Sequence, residues 1–230
     1  MEQEKHYRHE LKYAISDADY HALRNRLRPI MKPDPHVNSD GRYLIRSIYF
    51  DNVDDKALRE KIDGIAHREK FRIRYYNDDF SFITLEKKIK DNNLCLKYDA
   101  VITEAECRKL LAGDLDWMKE HEQPLVRELY AKMKYQQLRP RVLVSYVREP
   151  YIYPPGNVRI TFDSNIRTTL FQQDFLTKEV DDVSATDTPQ DRILEVKYDA
   201  FLPQIIQDLI QLPAMRQQAF SKYGACRRFG

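Results

Sequence analysis

The stretch EKFRIRYYND, residues 69–78, sets Arg72 and Arg74 two apart, between Phe71, Ile73 and Tyr75. In an extended chain successive side chains point to opposite faces. The two guanidiniums therefore share one face, and the apolar residues take the other. A face of arginines is either washed by solvent or lines a site, and the rest of the chain has to decide which.

The same alternation recurs along the sequence. In RHELKY (8–13), Arg8, Glu10 and Lys12 oppose Leu11 and Tyr13; in FITLEKKIK (82–90), Glu86, Lys88 and Lys90 oppose Ile83, Leu85 and Ile89, with Lys87 out of step. In NLCLKYDAV (93–101), Lys97 and Asp99 oppose Leu94, Leu96 and Tyr98; in NVRITFDS (157–164), Arg159, Thr161 and Asp163 oppose Val158, Ile160 and Phe162. RILEVKYD (192–199) sets Glu195 and Lys197 against Leu194, Val196 and Tyr198, and Arg148 shares a face with Tyr146 in RVLVSYVRE (141–149). Any one of these reads as an ordinary half-exposed strand. Together their polar faces are dominated by Lys and Arg, with a few carboxylates between. A sheet closed with those faces inward makes a cation-lined passage, which needs a polyanion because packed like charges repel. Arginine forks and mobile lysines suit phosphate oxygens, and the carboxylates become candidates for a divalent metal that bridges phosphates. Glycine numbers only 6, and neither GxxxxGK[ST] nor GxGxxG is present, so phosphate binding falls to side chains.

Strand-like runs fall at about 5–13, 43–51, 70–76, 81–90, 94–102, 141–149, 157–163 and 192–199. Helical patterns lie between them. SDADYHALRNRLRPI (16–30) has Ser16 as N-cap, TEAECRKLLAGD (103–114) has Thr103 and Glu106 as a capping box with Gly113 as a stop, and QPLVRELYAKMKYQQLRP (123–140) reads as an amphipathic helix closed before Pro140. PQIIQDLIQLP (203–213) and AMRQQAFSKYGA (214–225) predict two short helices at the end, and TKEVDDVSATDTPQD (177–191) reads as a mobile loop. Tyr49, Phe50 and Asp51 are expected at a strand end and turn, and Trp117 in the core or its cover. Many antiparallel strands with inserted helices predict an α+β fold, a single domain over 1–230 built round a large sheet or barrel.

Lys plus Arg (38) nearly balances Asp plus Glu (36), so the net charge of +2 points to no strong partner and any anion site must come from local segregation. Mean hydropathy is -0.68, and no apolar run approaches the roughly 20 residues that span a bilayer. The opening MEQEKHYRHELKY has no signal-peptide segment, so a cytoplasmic location is expected. Three scattered cysteines and six scattered histidines predict free thiols and no zinc site.

RHELKY, IRSIYFDN, REKFRIRYYN, LEKKIK, VSYVREPY, VRITFDSNI, ILEVKYD and FSKYGAC, in that order over about residues 4–227, resemble the VTC (polyphosphate polymerase) domain of the triphosphate tunnel metalloenzyme, or CYTH-like, superfamily. The resemblance implies an eight-stranded antiparallel β-barrel, the triphosphate tunnel, with helices packed outside. It implies that Lys12, Arg72, Arg74, Lys88, Arg148 and Arg159 carry the catalytic charges, and that Lys61, Lys97 and Lys222, with Lys90 and Lys197, bind phosphate. Lys61 stands where the eukaryotic enzymes place an arginine. Glu195 in LEVK matches the family's metal-binding glutamate, with Glu10 and Glu86 as further candidates for Mn²⁺ or Mg²⁺.

The implied reaction passes the γ-phosphate of ATP to a polyphosphate chain, with ATP and inorganic polyphosphate or triphosphate as partners. Phosphoryl transfer relies on positioning and electrostatics, so no nucleophilic side chain need be found. Eukaryotic members carry a phosphate-sensing N-terminal domain and a membrane anchor; this sequence contains neither and is most similar to the stand-alone bacterial type. Three alternatives share the tunnel: a metal-dependent tripolyphosphatase or nucleoside triphosphatase, adenylate cyclase or thiamine triphosphatase chemistry, and a non-catalytic polyanion-binding module. Nucleic acid is not an expected partner, because Tyr75 falls on the apolar face rather than among the basic residues.

Overall fold

The computed structural model describes residues 7–92, 94–169, 175–186, 192–212, 217 and 220–229. In chain order the strands are β1 (Arg8–Ile15), β2 (Lys32–Pro33), β3 (Tyr43–Asp51), β4 (His67–Tyr76), β5 (Asp79–Asp91), β6 (Leu94–Ile102), β7 (Arg139–Tyr153), β8 (Val158–Thr169), β9 (Val183–Ser184) and β10 (Arg192–Tyr198). The helices are α1 (Asp17–Leu27), α2 (Lys56–Ile62), α3 (Glu104–Leu111), α4 (Pro124–Tyr135), α5 (Gln204–Ile210) and α6 (Lys222–Cys226).

The strands pair in the order β7-β3-β4-β5-β6-β1-β10-β8, and β8 returns to β7, which closes an eight-strand antiparallel ring with β2 and β9 added at its rims. Most seams are long, but β6 meets β1 only at Cys95–Arg8 and Leu94–His9. The upper edge of β1 instead receives Gln217, which bridges to Tyr13.

Local chemistry accounts for most boundaries. β4 and β5 are joined by Asn77 and Asp78, both at φ 52, the left-handed pair of a type I′ hairpin turn. Ser16 and Asp19 form a capping box on α1, and Thr103 and Glu106 form one on α3, which ends before Gly113 at φ 82. Pro124 opens α4 in the first turn, where its missing N–H is not needed.

Residues opposed across antiparallel strands share a face, so the register assigns inside and outside. Phe71, Ile73, Tyr75, Leu85 and Ala100 face outward and are covered by Leu110 of α3 and by Val126 and Leu129 of α4. On the other side Ile160, Phe162, Leu194 and Val196 are covered by Leu23 and Leu27 of α1 and by Ile206 and Ile210 of α5. Lys87, out of step in the sequence, faces outward and is held 3.0 Å from Glu69, with Glu128 of α4 also bonded to it. Inside the ring Ile45, Val142, Val144, Ile166 and Ile193 pack with Tyr223 and Cys226 of α6, an apolar plug beside the charged part of the interior.

Three expectations differ from the structure. Residues 56–62 form α2, just beyond the turn expected at Tyr49–Asp51, where no helical pattern stands out in the sequence. The buried Asp51 carboxylate accepts the amides of Ala57 (2.8 Å) and Leu58 (3.2 Å), a cap supplied from outside the helix. The helix expected over 214–225 is present only at Lys222–Cys226, where Ser221 caps Gly224; residues 214–216, 218 and 219 lie outside the described residues. Within the loop expected at 177–191, Val183 and Ser184 pair with β8, and 187–191 lie outside the described residues. Among the described residues no helix is long and apolar enough to cross a membrane.

Candidate active site

The ring encloses a cavity of about 580 Å³. Among the described residues its wall carries eleven cationic side chains and two carboxylates. The cations are Lys12, Lys61, Arg68, Lys70, Arg72, Arg74, Lys88, Lys90, Arg148, Lys197 and Lys222, and the carboxylates are Glu10 and Glu195. Tyr49, Tyr146 and Tyr223 complete the wall with Gln217, Phe220 and Ser221 from the C-terminal segment.

Three of the residues singled out in the sequence stand outside that wall. Glu86 lies behind it, 1% exposed, and braces Arg72 (2.6 Å), Lys97 (2.9 Å) and Arg74 (3.7 Å). Lys97 is half exposed and reaches from β6 to Glu86 and Asp99. Arg159 is bonded to Asp34 (2.7 Å) and to the Tyr43 hydroxyl (2.7 Å).

Within the wall the cations are held in place. Arg72 donates to the Tyr49 hydroxyl (2.8 Å), and Arg74 to Ser47 Oγ (3.0 Å) and the Tyr146 hydroxyl (3.1 Å). Arg148 forms a two-pronged pair with Asp163 (2.6 and 2.7 Å) and also reaches Glu195 (3.0 Å). Lys222 meets Asp163 at 2.5 Å. These bonds restrict the rotamers of the cavity-lining guanidiniums, so a bound oxyanion meets them without flexible searching.

The carboxylates stay ionised. Burial pushes the Glu10 carboxyl up, but Lys12 and Lys88 outweigh it and hold the group at about 2. Burial likewise opposes ionisation of Glu195, and Lys197, Lys12 and Arg148 overcome it, leaving the group well below the usual carboxylate range. The lysines divide. Lys12 is raised despite burial because Glu10 and Glu195 flank it. Lys197 has Glu195 at 3.6 Å, yet burial dominates and lowers it to about 8. Several cations share that glutamate, so it is firmly anionic while each lysine receives only part of its field.

Glu10 and Glu195 are neighbours, close enough for each to act on the other's charge. Glu10 Oε1 is buried without a hydrogen-bond partner, although Lys12 Nζ lies 3.1 Å away. Two adjacent ionised carboxylates fit Mg²⁺ or Mn²⁺, which take one or two carboxylates together with phosphate oxygens and water. Among the described residues no cluster of three or more His, Cys, Asp or Glu offers an all-protein cage.

Arg68, Lys70, Tyr49 and Tyr223 line the cavity although the sequence reading singles none of them out as a site residue. For the first two the signal is present, since HREKFRIRYY alternates basic residues from Arg68 through Lys70 to Arg74. Tyr223 reaches the cavity only because α6 folds back into the ring, which no local pattern reports.

No curated protein gives a sequence match. Among solved structures, a Bacillus halodurans protein described as a candidate adenylate cyclase is 14% identical, covers 85% of this chain and 82% of its own, and superimposes with a TM-score of 0.50, a likeness of fold. A Pyrococcus horikoshii protein is 13% identical over 88% of this chain and 84% of its own, with a TM-score of 0.42. The VTC domain family model matches residues 7–229, which takes in every strand of the closed ring and both carboxylates of its wall, and the chain belongs to that family.

Proposed function

We propose that the protein is a polyphosphate polymerase-type phosphotransferase, which moves the γ-phosphate of ATP to the end of a polyphosphate chain inside the ring. Membership of the VTC domain family supports an enzyme of phosphate chemistry. The observation that carries the reading is the imbalance of the cavity wall, eleven basic side chains against two carboxylates among the described residues. A site so lined is complementary to a condensed phosphate, whose oxygens supply the missing negative charge.

Each residue then has a task. Arg72 and Arg74, fixed by Tyr49, Ser47 and Tyr146, hold oxygens of the transferring phosphoryl group and stabilise its charge. Arg148, oriented by Asp163, holds the donor or acceptor phosphate beside Glu195. Lys12, Lys88 and Lys222 neutralise the neighbouring phosphates. Glu195 and Glu10 would hold a divalent ion, which supplies charge neutralisation on bridging phosphate oxygens. The nucleophile is the acceptor phosphate itself, so the side chains bind, align and exclude water. Arg159 and Lys97 stand outside the cavity wall and would steer phosphate toward it.

The test is incubation of purified protein with ATP and Mn²⁺ or Mg²⁺, resolved by gel and by phosphate release. Long-chain product is expected. Release of free phosphate alone would reassign the tunnel to a triphosphatase, and tight binding without turnover would reassign it to a binding module.

A further inference from the structure

Lys70 stands in the cavity wall among basic groups. It opposes Lys88 across the β4–β5 pairing, and Arg68, two residues before it, opposes Lys90. Like charges opposed across strands destabilise a sheet, and these sit in a cavity wall rather than in bulk water. Elsewhere in the ring carboxylates settle such conflicts. Glu10 pairs with Lys88 and Lys12, Glu195 with Lys12, Arg148 and Lys197, Glu86 with Arg72, and Asp163 with Arg148 and Lys222. Among the described residues Lys61, Arg68, Lys70 and Lys90 form no ion pair with a carboxylate.

Charged groups act on Lys70 from every side. Arg68 lies on its own strand, Lys88 on β5, Lys12 on β1 and Lys61 on α2. The Asp51 carboxylate acts on it from β3, but accepts the amides of Ala57 and Leu58 and the Tyr223 hydroxyl. The Lys70 amine stands 4.6 Å from the centre of the Tyr223 ring, and a ring face stabilises a cation only modestly. Burial opposes the charge on Lys12 and Lys88, yet Glu10 outweighs it and raises both. An arginine keeps its proton. The conflict is therefore relieved at Lys70, which burial lowers to about 7, with Arg68, Lys12 and Lys61 adding to the push. Against an ordinary lysine near 10.4, roughly a thousandfold more of such an amine is neutral at pH 7.

A neutral amine is a nucleophile, and one ringed by cations favours a reaction that leaves it negatively charged. Carbon dioxide provides that reaction. It is small and uncharged, so the cations of the wall do not oppose its entry. The nitrogen lone pair of Lys70 bonds to the carbon, one C=O electron pair moves onto oxygen, and the N–H proton passes to water. The products are a carbamate and a proton, and nothing is oxidised or reduced.

We propose that Lys70 is a carbon dioxide site, where the amine is converted to a carbamate that supplies the carboxylate this part of the wall lacks. Arg68, Lys88, Lys12 and Lys61 are the cations that neutralise it. Lys197 is also lowered, to about 8, but Glu195 at 3.6 Å would repel a carbamate there. Burial lowers Lys90 as well, and Glu10 acts on that amine with the same repulsive sense toward an anion. A basic group of the wall becomes an anion, so the charge of the cavity depends on dissolved CO₂, whichever phosphate reaction it hosts.

The test equilibrates the wild type with ¹³C-bicarbonate at pH 8 and reads carbamate by carbon NMR. The α-amine of any chain titrates near 7.7–8.0 and gives a reference signal; a second carbamate resonance is expected beside it. Trapping with triethyloxonium, proteolysis and mass spectrometry should place the second label on the peptide that bears Lys70. At constant dissolved CO₂ that resonance should grow as the pH rises through about 7. Lys70→Arg keeps a positive charge without a reactive amine, so it should lose the second resonance and retain the first. A label confined to the α-amine, a label mapped to another lysine, or a second resonance that survives Lys70→Arg overturns the proposal. Because the trapping is read on the wild type, a variant that fails to fold leaves the test decisive.

Discussion

Asp163 anchors the tunnel without lining it. The side chain is fully buried, absent from the cavity wall, and shared between Arg148 (2.6 and 2.7 Å) and Lys222 (2.5 Å). Asp163→Asn keeps the volume and removes the charge. At an effective dielectric of about 20, a unit pair at this separation is worth roughly 6 kcal/mol of gross attraction. Part of that loss is returned, because the amide is cheaper to bury than the carboxylate and Arg148 still reaches Glu195 at 3.0 Å. Lys222 keeps no carboxylate in its contacts, so the net effect should fall at about 3–5 kcal/mol, as for a buried pair that loses one partner. For a chain of this size each kcal/mol moves Tm by about 2–4 °C, so the variant should melt about 6–20 °C below wild type at pH 7.

The pH dependence adds a sign. Arg148 and Lys222 outweigh burial and hold the Asp163 carboxyl below its ordinary value. Its stabilisation is therefore complete above the unfolded value of about 3.9 and fades as the pH falls through the lower folded value. The gap between wild type and variant should narrow below about pH 4. Thermal melts at pH 7 and pH 3 measure both effects. A variant within about 2 °C of wild type at pH 7 would refute the anchoring argument.

Arg74→Ala should lower kcat by about 100-fold or more, the effect of removing one preorganised donor to a developing charge, and turnover near wild type would remove Arg74 from the transfer site. Glu195→Gln should abolish activity or its response to added Mn²⁺ and Mg²⁺, and an unchanged metal titration would show that Glu195 is no ligand. Burial lowers Lys70 to about 7 and Lys197 to about 8, below the free lysine value of about 10.4. Between the two values the unfolded chain binds more protons, so the unliganded protein should gain stability as pH rises from about 7 to 9. Polyphosphate affinity should fall over the same interval as those charges are lost; melts and binding isotherms that move in the same direction would contradict the pairing of effects.

Much of the tunnel was legible because a β-strand has an exact two-residue period. The alternation of Arg72 and Arg74 with Phe71, Ile73 and Tyr75 already separates cavity from core, and the structure puts the arginines in the wall and Tyr75 under α3 and α4. Parity cannot report register. Glu86 shares the inward parity of Glu10, yet it lies directly opposite Arg72 and is enclosed by cations, whereas Glu10 lies beside Glu195 through the β1–β10 pairing. Short elements were illegible for a related reason: α2 depends on Asp51 for its cap, and α6 depends on the Tyr223 hydroxyl reaching that same carboxylate from 172 residues away. Those are long-range facts that no window of sequence contains.

The arrangement of carboxylates explains how one interior can be both folded and receptive. A ring containing only cations would lose stability with each added charge. Glu86 and Asp163, placed behind the wall, settle Arg72 and Arg148 without occupying the space a ligand needs. Glu10 and Glu195, placed in the wall, fit a metal. Had all the cations been matched in this way, the cavity would be neutral and indifferent to phosphate. The positive excess left unmatched gathers at Lys61, Arg68, Lys70 and Lys90, and there burial lowers two of the lysines instead. Burial favours the neutral form of Lys70 when the tunnel is empty, which relieves the repulsion, and an entering anion favours its charged form, which restores the attraction. Stability and affinity are thereby drawn from the same residues at different moments, which is why they should respond to pH with opposite signs.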